Sequence, residues 1–247
     1  MVGAPRSGTS LVAQLLASAG LRTGDDLLPP TEDNPLGFVE QVSVSELNDD
    51  LLEPHVIGTG PGQVPGRRLA WLAAPPDDLC VQATRAVLRS MRRVLPLAPA
   101  VVKDPRFCIT LGAWRPALRP ATSFVAVVRD PAEVVVSLAT MARRDPAYYD
   151  GFEVTPLVAL ALWEASARRL LRLRRIGRWF VVDHASLLNG SGVVPLGHFV
   201  GRRLDPDQVR VHLHRSRSEV DVGGACLDLA AELQAIAAAD VERWRDG

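Results

Sequence analysis

The chain has 247 residues, a hydrophobic content of 47%, a charged content of 23% and a formal net charge of zero at pH 7. These values are typical of a globular protein and exclude one that binds nucleic acid or an anionic membrane through a general excess of positive charge. Its three cysteines, Cys80, Cys108 and Cys226, are too few and too scattered for a disulfide framework or a zinc cluster, so we expect no metal site.

The N-terminus lacks the basic stretch followed by an apolar stretch that marks a signal peptide. No uninterrupted apolar run approaches the roughly 20 residues that a membrane-spanning helix needs. The sequence therefore predicts a cytoplasmic protein that has no membrane partner.

The predicted elements alternate between helices and apolar strands along the chain. In chain order they are a strand end at Met1-Val2, a helix at about 9–19, a loop at 21–40, helices at about 43–52 and 76–95, strands at 100–102 and 124–128, a helix at about 156–175, a strand at 179–182 and a helix at about 227–244. Continuous apolar strands separated by helices are typical of a parallel sheet that is buried on both faces. We therefore expect one α/β domain over residues 1–247, with three α/β/α layers around a central parallel sheet.

Residues 54–68 are rich in proline and glycine, with four glycines between positions 58 and 66. This density excludes a regular helix or strand. Long loops in compact domains are often lids or binding loops. The sequence thus predicts a lid or a binding-site insertion at about residues 51–75.

Gly3 and Gly8 have the spacing of a G-x-x-x-x-G phosphate-binding loop between a strand and a helix. Such a loop directs backbone N–H groups and the positive end of the helix toward an anion. The lysine that usually follows the second glycine is replaced by Thr9, and the loop carries Arg6 instead. This disfavours a metal-dependent NTPase, although an ordinary turn that caps a helix would show the same two glycines.

Arg129 follows the strand predicted at 124–128. The next residues, Asp130 and Pro131, are typical of a helix start. A helix start accounts for Asp130 and Pro131 but not for Arg129. Arg129 lies at the carboxyl end of a strand, which is where α/β sheets bind their ligands. Ser137 lies two helical turns further on, so its hydroxyl could join Arg129 in binding a phosphate; taken alone it would be an ordinary helix serine.

Lys103 has the same position after the strand predicted at 100–102. It is followed by Asp104 and Pro105, as Arg129 is followed by Asp130 and Pro131. A surface lysine paired with Asp104 would contribute almost nothing to stability. Two strand ends with the same basic-Asp-Pro pattern instead favour a cationic crevice at one edge of the sheet.

Together these motifs resemble the P-loop sulfotransferase superfamily, especially bacterial members similar to tyrosylprotein and carbohydrate sulfotransferases. The loop Pro5-Arg6-Ser7-Gly8-Thr9-Ser10 matches the family's 5′-phosphosulfate loop. Arg129 and Ser137 match its 3′-phosphate pair, and Lys103 matches the lysine that contacts the oxygen between phosphate and sulfur. The segment from Asn34 to Glu40 resembles the family's N-P-x-G-F/Y-x-E segment, and the likeness covers about residues 1–190.

The resemblance implies a P-loop fold and transfer of a sulfuryl group from 3′-phosphoadenosine-5′-phosphosulfate (PAPS) to a hydroxyl by in-line displacement. Arg6, Lys103 and the amides of the loop would stabilise the transition state without a metal ion. A carboxylate or imidazole would take the acceptor's proton. Glu40 is the first candidate for this base and His55 the second, whereas His184 is expected to be a polar residue at a strand end.

The sequence is also compatible with two other functions: a P-loop nucleotide kinase or NTPase, and a catalytically inactive nucleotide-binding scaffold. The missing loop lysine counts against the first, and the presence of Lys103, Arg129 and Ser137 together counts against the second. The Ala-, Arg- and Val-rich composition suggests a bacterial gene and an acceptor that is a secondary metabolite or a carbohydrate. Residues 51–71 and 143–152 are the expected walls of the acceptor site; the sequence does not indicate an oligomeric state.

Overall fold

The computed structural model describes residues 1–30, 37–56, 64–73, 76, 78–97, 99–209 and 220–247. Its strands are β1 (Ser123–Val128) and β2 (Arg178–Asp183). Its helices are α1 (Thr9–Ser18), α2 (Val42–Leu52), α3 (Arg85–Val94), α4 (Phe107–Trp114), α5 (Pro131–Arg144), α6 (Pro146–Tyr149), α7 (Pro156–Leu173), α8 (His184–Leu188), α9 (Val193–Val200) and α10 (Gly224–Arg243). Short 3-10 helices form at Glu53–His55, Arg67–Ala73, Arg115–Ala117 and Pro206–Gln208. Among these residues no helix is both long and apolar enough to cross a membrane.

The sheet is parallel and extends beyond its two regular strands. β1 and β2 pair in parallel along their full length. Val2 lies on the other side of β1, where its amide donates to Val125 O at 2.9 Å and its carbonyl accepts from Val127 N at 3.0 Å. The next segment is reached through Met1, whose amino group donates to Val102 O at 2.9 Å. A parallel bridge then joins Ala100 to Arg22.

Two clusters of apolar side chains bury the two faces of the sheet. On one face, Ala126 and Val128 of β1 pack with residues of α2, α4, α5, α7 and α10. On the other face, Val125 and Val127 pack with residues of α1, α8 and α9. Successive side chains of a strand point to opposite faces, so β1 contributes to both clusters. The predicted three-layer α/β/α architecture with a parallel sheet is confirmed.

The helix predicted at 76–95 is wrong in its first half. The helix α3 begins at Arg85, because the Thr84 side chain accepts a hydrogen bond from Val87 N at 3.3 Å and so caps the N-terminus there. Before it, Leu79 closes a turn on Pro76 O at 3.0 Å, and Val81 is buried outside any helix. The cap at Thr84 thus places the start of the helix at Arg85 instead of Pro76.

The glycine- and proline-rich segment is only partly within the described residues, which omit positions 57–63, 74, 75 and 77. Its second half, Arg67–Ala73, is a 3-10 helix whose Leu69, Trp71 and Leu72 are buried. This part of the predicted insertion therefore belongs to the core of the protein.

The carboxyl ends of the parallel segments meet at one edge of the sheet. The glycine loop follows Val2, Lys103 follows the segment at 100–102, Arg129 follows β1, and His184 follows β2. Parallel order alone brings these residues together, although up to 181 positions separate Gly3 from His184 in the chain. This edge is where a ligand of an open α/β sheet binds.

Candidate functional site

In the loop from Gly3 to Gly8, the backbone at both glycines packs so closely against other residues that no side chain would fit. A Cβ atom on Gly3 would lie 2.7 Å from Val127 O, and one on Gly8 would lie 2.6 Å from the ring of His184. Gly8 also has a φ of 96° and caps α1 without a side-chain hydrogen bond. The first N–H groups of a helix have no partner within the helix, so those of α1 can bind an anion.

Arg6 stands in the left-handed region with a φ of 67°, an uncommon backbone conformation for a residue with a side chain. Its Nε donates to Ser137 Oγ at 3.0 Å, and its Nη1 lies 3.5 Å from Met141 Sδ. The structure thus directs the Arg6 guanidinium toward α5. Residues held in such conformations concentrate at binding sites.

Arg129 joins the same group from the end of β1. Its Nη1 donates to the carbonyl oxygen of Arg6 at 2.8 Å, and its Nε donates to Glu133 at 2.8 Å. The indole of Trp163 donates to the carbonyl of Arg129 at 3.1 Å, which fixes the end of the strand. Ser137 is buried on α5. The structure therefore brings Arg6, predicted at the 5′-phosphosulfate, into contact with Arg129 and Ser137, predicted at the 3′-phosphate.

Lys103 and Glu40 form a buried ion pair at the other end of the loop. Their side chains are 3% and 8% exposed, and Lys103 Nζ donates both to Glu40 Oε1 and to Ser10 Oγ, the latter at 3.2 Å. Burial raises the pKa of Glu40, an effect that the positive charge of Lys103 opposes. A carboxylate with a raised pKa, beside a cation and a phosphate-type loop, is suited to accept a proton.

A second buried ionic cluster holds this pair in place. Asp104 accepts from Ser45 Oγ at 2.8 Å, from Arg106 N at 2.8 Å and from Arg106 Nη1 at 3.1 Å. Arg106 Nε lies 2.8 Å from Asp49 Oδ1. Since Ser45 and Asp49 are one turn apart on α2, and Glu40 immediately precedes that helix, the cluster fixes α2 against the loop that carries Lys103.

Burial shifts the pKa of the Asp49 carboxylate and the pKa of the Arg106 guanidinium in opposite directions. It raises the pKa of Asp49 to about 6. It lowers the pKa of Arg106, but the nearby carboxylates of Asp104 and Asp49 outweigh this effect and raise it overall. Arg106 is thus a permanent cation between two carboxylates.

One cavity of about 1750 Å³ is bordered by the cations and the buried carboxylate of the site: Arg6, Lys103, Arg106, Arg129 and Glu40. One part of the cavity is lined by the glycine loop, by Arg129 and Ser137, and by His184 and Leu188 of α8. Another part has mainly aromatic and basic walls, formed by Arg68, Trp71, Arg106, Arg144, Tyr148 and Tyr149. The walls predicted at 51–71 and 143–152 thus contribute to the cavity.

His55 ends the 3-10 helix at Glu53–His55, is half-buried, and is not among the described residues that line the cavity. Asn34, Pro35 and Leu36 lie outside the described residues. The rest of that segment, Gly37 to Glu40, is described, and Gln14 Nε2 donates to Gly37 O at 2.9 Å. In the described part of the chain, no cluster of three or more His, Cys, Asp or Glu side chains could hold a metal ion.

Sequence reasoning missed two residues that border the cavity, Arg106 and His184. Arg106 stood directly after the Lys-Asp-Pro motif, but nothing in the sequence showed that Asp49 lies beside it. His184 was interpreted as a polar residue at a strand end; it is buried, begins α8, and packs against Gly8. A histidine at the carboxyl end of a parallel strand could have been recognised from the same rule that identified Arg129.

Comparisons with known proteins give one family and one fold. Residues 1–190 match the family model described as "Sulfotransferase family". A solved structure described as "Sulfotransferase Domain from the Curacin Biosynthetic Pathway" matches with a TM-score of 0.54 and 14% sequence identity, over 94% of this chain and 95% of that chain. No curated protein matches the chain significantly.

Proposed function

Because this chain belongs to the sulfotransferase family, we propose that it transfers a sulfuryl group from PAPS to a hydroxyl of a small-molecule acceptor. The observation that carries the proposal is the buried Lys103–Glu40 pair, which lies beside Ser10 of the anion-binding loop. It combines a hydrogen-bond donor for a leaving oxygen with a base for a hydroxyl proton, within reach of the loop.

The residues at the site fit the donor. The amides at the start of α1 would bind the 5′-phosphosulfate, because no side chain occupies the N-cap at Gly8. Arg129 and Ser137 would bind the 3′-phosphate. We assign Arg6 to the same phosphate, since its guanidinium already contacts Ser137. This assignment makes Arg6 a donor-binding residue.

Catalysis then depends on proton transfer and on charge stabilisation by this chain's residues. PAPS supplies an activated sulfuryl group on its 5′-phosphate. Glu40 accepts the proton of the acceptor hydroxyl as the hydroxyl oxygen bonds to sulfur. Lys103 donates a hydrogen bond to the phosphate oxygen whose bond to sulfur breaks. The products are the sulfate ester and 3′-phosphoadenosine-5′-phosphate (PAP), and the proton leaves through Glu40.

The aromatic and basic part of the cavity would hold the acceptor. Its walls include Trp71 and Tyr148, whose flat faces suit a ring or a sugar. The matched solved structure is described as part of a biosynthetic pathway, which supports a secondary metabolite as acceptor. The charge of a transferred sulfuryl group is smaller than that of a phosphoryl group, so the cations of the site would suffice without Mg²⁺.

Thermal melting with PAP, compared with ATP plus Mg²⁺, tests the proposal. PAP at 100 times its Kd adds about 2.7 kcal/mol to the free energy of unfolding, which corresponds to an increase in Tm of about 5–10 °C. Transfer of labelled sulfate from PAPS to a mixture of hydroxyl compounds is the second readout. Stabilisation by ATP–Mg²⁺ and not by PAP would contradict the proposal, and PAP binding without any transfer would leave a nucleotide-binding scaffold.

A further inference from the structure

The guanidinium of Arg106 lies between two buried carboxylates, yet its Nη2 nitrogen makes no hydrogen bond to either of them. Nε lies 2.8 Å from Asp49 Oδ1, and Nη1 donates to both oxygens of Asp104 at 3.2 and 3.1 Å. Within the described part of the chain, Nη2 has no hydrogen-bond partner. The side chain is 7% exposed and borders the main cavity. A buried guanidinium that keeps an N–H available at a cavity wall is prepared to bind a ligand.

Arg106 faces the part of the cavity where the acceptor would react. Its charge interacts electrostatically with Glu40 and with the hydroxyl of Tyr148. Tyr148 and Trp71 border the same space. The guanidinium of Arg68 covers the Tyr148 ring, 5.6 Å from its centroid. An acceptor whose hydroxyl reaches Glu40 would therefore have its adjoining atoms between Arg106 and these aromatic rings.

The charge around Arg106 determines which group it can bind. Two carboxylates, Asp49 and Asp104, already balance its single positive charge. Asp49 has a pKa of about 6 because of burial, so it is mostly ionised above neutral pH. An acceptor carboxylate at Nη2 would face a cluster without surplus positive charge and would lose its hydration. An uncharged oxygen would gain a hydrogen bond from a charged donor at little cost in desolvation.

We propose that Arg106 is an acceptor-binding residue, and that Nη2 selects ring-shaped acceptors carrying a second, uncharged oxygen such as a carbonyl or hydroxyl. This inference rests on the proposed function, because it names the acceptor class of the same site. Asp49 and Asp104 are positioning residues, since they hold the guanidinium and do not themselves reach the acceptor.

Three probe acceptors that differ in one group test the selection: phenol, 3-hydroxybenzamide and 3-hydroxybenzoate. Phenol lacks the second oxygen, the benzamide supplies an uncharged carbonyl, and the benzoate supplies a carboxylate of the same size. With PAPS as donor, we expect kcat/KM at pH 7.5 to be about tenfold or more higher for 3-hydroxybenzamide than for either of the others. If the wild-type protein has nearly the same kcat/KM for 3-hydroxybenzamide as for phenol or for 3-hydroxybenzoate, the inference is overturned.

The variant R106K keeps the positive charge between the two carboxylates but loses the forked guanidinium. We expect the ratio of kcat/KM for 3-hydroxybenzamide to that for phenol to fall toward one. The matched control is R67K: Arg67 pairs with Asp50 on the exposed side of the same region and does not border the cavity. This control should keep the wild-type ratio. An unchanged ratio in R106K would overturn the inference.

Titration with PAP separates the two proposals and checks folding. No PAP binding by the wild-type protein would count against the proposed function. PAP binding with transfer to the mixture of hydroxyl compounds, but with no transfer to any of the three probes or with equal transfer to all three, would overturn the acceptor inference alone. If R106K does not bind PAP, the double variant D49N/R106Q replaces Arg106 and Asp49 by neutral amides and leaves Asp104 with its hydrogen bond from Ser45. It is expected to show the same loss of selectivity, and retention of the wild-type ratio would overturn the inference.

Discussion

At the scale of single residues, Lys103 and Glu40 are neighbours in the site although 63 positions separate them in the chain. Substitution of Lys103 and substitution of Glu40 are expected to affect different parts of the reaction. Lys103 would act on the leaving oxygen, and Glu40 on the attacking hydroxyl. We propose that the loop, Arg129 and Ser137 bind the donor, so the two catalytic roles are expected to be measurable separately from affinity for PAP.

We expect K103A to lower kcat by about 10²–10³, by analogy with the removal of one preorganised hydrogen-bond donor. The ammonium group stabilises charge that develops only in the transition state. PAP affinity, measured by calorimetry, should change much less than kcat. Near-wild-type turnover in K103A would rule out its contact with the leaving oxygen.

We expect E40Q to abolish transfer while PAP still binds, because glutamine cannot accept the proton. In the wild-type protein, burial raises the pKa of Glu40 above its ordinary value of 4.5. Only the ionised form is a base, so activity should be present above that raised pKa and be lost as the pH falls through it. The acid limb of the kcat profile should therefore have its midpoint above 4.5. If E40Q remains active, H55Q is the next variant to measure.

Much of this residue-level picture could be predicted from the sequence. The loop, Lys103 and Arg129 were predicted because each follows an apolar strand, and parallel strands place their carboxyl ends together. The partners of these residues could not be predicted in the same way. The contact of Arg106 with Asp49 depends on how α2 packs against the loop at 103–106, and a single sequence carries no signal for that packing.

At the scale of elements, the first turn of the loop depends on the absence of a side chain at Gly3. We expect G3A to lower the free energy of unfolding by about 1–3 kcal/mol, the usual cost of overpacking. The added methyl group would lie 2.7 Å from the carbonyl oxygen of Val127 and 2.9 Å from Thr9 Cγ2. The backbone of β1 cannot move aside without breaking its pairing with Val2.

The matched control for G3A is G112A in α4. A Cβ atom on Gly112 would meet nothing within 4 Å, and alanine is favoured over glycine inside a helix by about 0.5–1 kcal/mol. Urea denaturation should therefore show opposite signs for the two substitutions. A G3A protein as stable as the wild type would mean that β1 and the loop are not tightly packed.

Element prediction succeeded where the sequence pattern and the packing agree. The segments at 124–128, 156–175 and 179–182 have continuous or helical apolar patterns and match β1, α7 and β2 closely. It failed at 76–95, where a segment rich in arginine was predicted as one helix and the cap at Thr84 shortens that helix. The helix α4 went unpredicted because it is apolar on nearly all sides and so lacks an amphipathic pattern.

At the scale of the whole molecule, a net charge of zero coexists with a locally cationic cavity. Arg6, Lys103 and Arg129 all border it. Attraction of a multiply charged nucleotide is then a local effect that salt can screen. We expect the Kd for PAP to rise about tenfold between about 0.05 and about 0.5 M KCl.

Adenosine is the matched control for this salt dependence, since it has the same base and ribose without phosphates. Its affinity should change little over the same range. Equal salt dependence for PAP and adenosine, measured by calorimetry, would mean that the cations of the cavity do not bind the phosphates.

Two tryptophans give the protein an optical signal for each part of its cavity. The indole of Trp163 donates to the carbonyl of Arg129, one of the residues proposed to bind the 3′-phosphate. The indole of Trp71 donates to Arg68 O at 3.0 Å and borders the aromatic walls. The chain has five tryptophans, so the fluorescence change of the wild type minus that of W163F would follow nucleotide binding, and the same difference for W71F would follow acceptor binding, in real time and without a label.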